Sequence, residues 1–105
     1  MKIVAINDKS IRFDNGKSIT YDHDPDCCEF NYADFNQLDS IAKAYDFHEP
    51  LVFEKVDGYG FRFGNNGAMF FVPCYSEQNG YYSSDLDIYY DNKLVLAIEC
   101  EWVDC

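Results

Sequence analysis

The chain has 105 residues, of which 48% are hydrophobic and 18% aromatic, and its 19 Asp and Glu against 8 Lys and Arg give a formal charge of -11. That length makes a single domain, residues 1–105, able to bury a core without a set of disulfides, and so many Tyr and Phe side chains exclude an acidic disordered chain. The acid excess excludes direct binding to nucleic acid, and apolar runs such as Leu94 to Ile98 fall far short of the roughly 20 residues of a membrane helix.

The opening Met1-Lys2-Ile3-Val4-Ala5-Ile6 is interrupted at Asn7-Asp8-Lys9, so it does not read as a signal peptide. Five cysteines, Cys27, Cys28, Cys74, Cys100 and Cys105, fit reduced thiols or a metal site better than a secreted disulfide framework. Both features lead to a cytoplasmic expectation. Charge is unevenly spread: residues 1–21 sum to +2, 22–49 to -7, 50–84 to -1 and 85–105 to -5.

In chain order, Lys2 to Ile6, Ile11 to Phe13 and Lys17 to Tyr21 read as strands, with Asn15-Gly16 as a hairpin signal. A three-residue loop of Asp14, Asn15 and Gly16 pairs Ile11 with Ile19 and keeps Phe13 and Tyr21 on the same face, so it is preferred over a two-residue loop. From Ala33 to Asp46 the period becomes helical, with Phe35, Leu38, Ile41, Ala42 and Tyr45 on one stripe and Asn31 available as a cap. Pro50 stops it. Leu51 to Val56, Tyr59 to Phe63, Ala68 to Tyr75, Leu86 to Tyr90 and Leu94 to Trp102 then read as strands joined by Asp57-Gly58, Asn65-Asn66-Gly67, Asn79-Gly80 and Asp91-Asn92. The expected fold is α+β, an antiparallel meander of about seven to eight strands packed on one helix.

Chemistry concentrates in Asp22-His23-Asp24-Pro25-Asp26-Cys27-Cys28-Glu29. His23, Cys27 and Cys28 are zinc-type donors, and a tetrahedral site needs a fourth ligand, which Asp26, Cys74 or Cys100 could supply. A bound cation would also relieve the crowded carboxylates. The spacing is not that of paired C-x-x-C knuckles, and cysteines are also among the most buried residues, so a packed, metal-free segment is the competing reading. The same three residues frame a metal- or cysteine-dependent enzyme as the alternative. His48 reads as a solvated loop histidine. Tyr59, Phe61, Tyr81, Tyr82, Tyr89 and Tyr90 read first as ordinary strand composition and second as a contact surface.

The segments His23-Asp24-Pro25-Asp26-Cys27-Cys28-Glu29 and Asn79-Gly80-Tyr81-Tyr82-Ser83, with the glycine hairpin around Asp57-Gly58-Tyr59-Gly60, resemble a small domain family of unknown function found in phages and bacteria. The likeness runs from about Ile19 to Tyr90 and implies an α+β domain, a role for the His-Asp-Cys-Cys-Glu segment and a phage or mobile-element origin, without an assigned reaction. In size and charge the chain is also similar to phage anti-CRISPR proteins, which often occupy the basic surface of a nucleic-acid enzyme. The resulting expectation is a zinc-stapled acidic inhibitor that binds a basic protein, a nucleic-acid-handling effector such as a Cas9-type nuclease. Asp34, Asp39, Asp46, Glu49, Asp85, Asp87 and Asp91 are its expected contacts. A metal-free module that binds a host factor is the third expectation.

Overall fold

The computed structural model describes residues 1–23, 29–65, 67–78, 80 and 83–104. Among them the chain forms ten strands, a 3₁₀ turn at Phe35–Gln37 and one α-helix, α1, at Ser40–Ala44. The strands are β1 (Ile3–Ile6), β2 (Ser10–Phe13), β3 (Ser18–Asp22), β4 (Phe30–Ala33), β5 (Val52–Val56), β6 (Gly60–Asn65), β7 (Ala68–Gln78), β8 (Asp85–Tyr90), β9 (Lys93–Glu99) and β10 (Glu101–Asp104). They make two sheets, one in the order β1-β2-β3-β8-β9 and one in the order β10-β7-β6-β5, with β4 also paired to β7. The α+β expectation of one meander on one helix is therefore corrected to a mostly β, two-sheet fold.

Three local causes account for the correction. The helical stripe expected over 33–46 is divided because Asp34, Asn36, Asp39 and Ser40 all favour caps and turns over helix interiors. Asp39 accepts from the Ile41 amide at 3.0 Å and caps a helix of only five residues, while Leu38 is extended and Ile41 faces solvent. Asn31 is not a cap: it lies in β4, whose register against β7 runs from Phe30 opposite Glu77 to Ala33 opposite Cys74. The strand expected over Leu94 to Trp102 breaks at Cys100, whose amide donates to the Ser84 carbonyl at 2.8 Å. There the chain leaves the first sheet, and β10 runs parallel to β7 in the second. The meander expectation also missed the long-range pairing of β3 with β8.

The first hairpin follows its sequence signal. Ile11 lies opposite Ile19, the Phe13 amide donates to the Lys17 carbonyl at 2.9 Å, and Gly16 has the positive φ, +86°, that the loop requires.

The core lies between the sheets. Ile11, Phe13, Ile19, Leu86, Ile88 and Ile98 face Ala33, Phe61, Phe63, Val72 and Cys74, and the connecting segment adds Phe35, Leu38, Ala42 and Phe47. Phe47 is the hub: its ring meets Phe13 at 5.6 Å, Phe63 at 5.5 Å, Tyr45 at 4.8 Å and Phe70 at 5.6 Å. Gly60 lets β6 approach β7 this closely, since a Cβ there would fall 2.2 Å from the Val72 carbonyl oxygen. Phe47 is fully buried, so Phe47→Ala should cost about 4 kcal/mol by transfer and cavity terms together. Urea titration of the variant against the parent measures this, and a cost below about 1 kcal/mol would contradict the hub assignment.

Candidate functional site

The inward face of β7 changes chemistry along its length, from Val72 and Cys74 to Ser76 and Gln78. All four are buried, so the last two require hydrogen-bonding partners inside the protein. β4 delivers one: Asn31 lies opposite Ser76, and its side-chain oxygen accepts from the Ser76 hydroxyl. The Asn31 amide nitrogen donates to the Ser83 and Asp85 carbonyls, both at 3.0 Å. Gln78 donates to the Ser76 hydroxyl at 2.6 Å and to the Ser83 carbonyl at 3.2 Å. This network ties β4, β7 and the start of β8 together at one end of the sandwich.

His23 and Glu29 complete it. The His23 Nε2 meets a Glu29 carboxylate oxygen and lies 3.2 Å from the Asn31 amide nitrogen, while Nδ1 lies 3.7 Å from Asp85. The Glu29 side chain is 1% exposed and that of His23 is 10% exposed. An imidazole thus sits between two carboxylates, one enclosed and one exposed, and gives the enclosed one a hydrogen-bonding partner inside the protein. Outside this corner lie two joined pockets, one of about 230 Å³ and one of about 530 Å³, which share Lys9, Tyr21 and Phe30 in their walls.

Of the expected metal ligands, the structure describes His23, with both ring nitrogens directed at carboxylates. Asp26, Cys27 and Cys28 lie outside the described residues. Among the described residues no group of three or more His, Cys, Asp or Glu side chains is placed to hold a metal ion. Cys74 and Cys100, the other candidates for a fourth ligand, are buried free thiols. The Cys74 thiol is pushed well above the usual range by its contact with Cys100 and by burial, which makes it a packing group rather than a nucleophile.

The expected acidic contacts fall into two groups. Asp39 caps α1, Asp46 pairs with the Met1 amino group at 2.7 Å, Glu49 pairs with Lys17 at 2.9 Å and Asp34 accepts from Gln37 at 2.7 Å. Asp85 and Asp87 stand on the outer face of β8, and Asp91 is in the turn that follows it. Sequence reasoning missed the partners of the second group. Asp22 on β3 lies directly opposite Asp87, and Asp85 lies directly opposite Glu99 on β9. Of the aromatic candidates, Phe61 is fully buried, Tyr59 is exposed, Tyr89 and Tyr90 are half-buried, and Tyr81 and Tyr82 lie outside the described residues. His48 is exposed as expected.

No protein-family model, curated protein or solved structure matches the chain. The phage, anti-CRISPR and metal-binding assignments therefore gain no support, and they are set aside along with the α+β description. No helix among the described residues is long and apolar enough to cross a membrane.

Two outcomes check the site. His23→Ala removes the imidazole from an enclosed carboxylate and should cost about 3 kcal/mol of stability, whereas Asp85→Asn at the half-exposed end should cost far less. Alkylation of the folded protein should leave Cys74 and Cys100 unmodified, as mass spectrometry of the digest would read, and denaturation should expose both.

Proposed function

We propose that this protein is a non-enzymatic binding module that docks on a lysine- and arginine-rich protein surface through the acidic end of its first sheet. The single observation that supports this most strongly is the pair of like-charge registers, Asp22 opposite Asp87 and Asp85 opposite Glu99. Directly opposed like charges destabilise a sheet, so four carboxylates gathered on β3, β8 and β9 are a stability cost that a cationic partner offsets on binding. The ion pairs of Lys17, Lys55, Arg62 and the Met1 amino group are all made with other acids, and among the described residues no Lys or Arg pairs with Asp22, Asp87 or Glu99.

An enzymatic reading finds less support in the described residues. The nitrogens of His23 face carboxylates, and the two described thiols are enclosed in the core. A net charge of -11 also favours fast, salt-sensitive association with a positive surface.

The test is a substitution with two opposite consequences. Asp87→Asn removes one member of a like-charge pair, so it should raise unfolding stability by about 0.5 kcal/mol while weakening binding to immobilised polylysine. The parent's affinity for polylysine should fall steeply between about 0.05 and 0.5 M salt, as screening predicts. Affinity indifferent to salt, or an Asp87→Asn protein that is less stable yet binds as well, would defeat the reading.

A further inference from the structure

The larger pocket is walled by three aromatic rings, Tyr21 from β3 and Phe30 and Tyr32 from β4, with Asp8 and Asp34 beside them. At about 530 Å³ it is within the range that receives a small ligand or the end of a long side chain. We infer that this groove is the anchoring site for an arginine side chain of the basic partner, whose guanidinium stacks on Phe30 and Tyr32 while Asp8 and Asp34 take its charge. This inference rests on the proposed acidic docking function and adds to it the site at which one residue of the partner is held.

The walls are fixed in place before any ligand arrives. Tyr21 packs on Phe35 at 5.7 Å, and its hydroxyl donates to the Asp8 carbonyl at 3.4 Å. Phe30 lies 4.9 Å from Tyr32, and Tyr32 lies 5.8 Å from Tyr75, which the β4–β7 register places directly opposite it. Such a tiled row loses little entropy on binding. Phe30 remains 58% exposed despite these contacts.

The chemistry selects a cation. An aromatic face attracts a positive group, and a planar guanidinium both stacks on rings and donates paired hydrogen bonds to carboxylates, which an ammonium does less well. The Asp8 carboxylate accepts from Asn36 at 2.7 Å and the Asp34 carboxylate from Gln37 at 2.7 Å, so each is held in position by a neutral amide rather than by a cation. Glu77 accepts from the Tyr32 hydroxyl at 3.3 Å and lies opposite Phe30 in the register, which helps to fix the Tyr32 ring. Lys9 also lines the groove and is the cation that an incoming arginine must displace or avoid.

Fluorescence anisotropy with labelled nona-arginine and nona-lysine peptides at about 0.15 M salt tests the inference. The arginine peptide should bind more tightly than the lysine peptide. Phe30→Leu, which keeps apolar area and removes the ring, should weaken arginine-peptide binding about fivefold, and Lys9→Gln should tighten it about threefold. Circular dichroism of each variant confirms that the fold is retained; if Phe30→Leu does not fold, Lys9→Gln and the peptide comparison still decide. Parent-like affinity in Phe30→Leu, with Asp87→Asn still weakening binding, would overturn the groove and leave the acidic docking face standing. Loss of binding in Phe30→Leu with no response to Asp87→Asn or to salt would leave the groove standing and overturn the acidic face. Equal affinity for the two peptides would overturn the stacking.

Discussion

The structure depends on one strand whose inward face changes from hydrocarbon to hydrogen bonds. β7 is eleven residues long and serves three partners, β6 along Ala68–Pro73, β4 along Cys74–Glu77 and β10 along Tyr75–Gln78. Where it presents Val72 and Cys74, the facing elements can be apolar, and the core forms. Where it presents Ser76 and Gln78, burial without partners would cost more than packing returns, so every neighbour at that end must bring a polar group. Asn31 and the Ser83 carbonyl are those groups, and His23 and Glu29 extend the network behind Asn31. The polar corner is thus a consequence of the register of β7, and the groove beside it exists because β4 must stand where Asn31 can reach Ser76.

The legibility of the sequence follows from how local each cause is. The β2–β3 hairpin was legible because a three-residue loop and the facing pair Ile11 and Ile19 are separated by only a few positions. The helix was misread because Phe35, Leu38 and Ala42 do share a buried side, but the chain reaches it through a strand, a 3₁₀ turn and one short helix. Periodicity reports burial and does not say which backbone achieves it. The site was half legible. The carboxylates and His23 announced themselves by density, while Asn31, Ser76 and Gln78 are brought together across 45 residues of chain. One signal was present: the two-residue period of Val72 and Cys74 continues through Ser76 and Gln78, marking polar side chains on an inward face. The like-charge pairs Asp22–Asp87 and Asp85–Glu99 could not be read without the long-range register of β3 on β8 and the length of β9.

Charge compensation in this protein is local. Lys17 holds Glu49, Arg62 holds Glu54 and the Met1 amino group holds Asp46, so these cations are engaged in fastening the end of the connecting segment and the β5–β6 hairpin. Exposed pairs of this kind contribute little to stability and are weakened by salt. What they do is leave the uncompensated field at the other end, over β3, β8 and β9. A chain with the same composition but shuffled cations would have the same net charge and no such polarity.

The acidic end and the aromatic groove meet at β3, where Asp22 closes the carboxylate face and Tyr21 begins the groove wall. The smaller pocket touches both Tyr21 and Asp22, so one short stretch of β3 contributes to both surfaces. The two have different ranges. The carboxylate field extends about 8 to 10 Å at physiological salt and governs how often a basic surface arrives in a useful orientation. Ring stacking acts only in contact and governs how long it stays. On the proposed docking, a partner that satisfies the first and not the second associates quickly and leaves quickly, so selectivity among basic surfaces would reside in the groove.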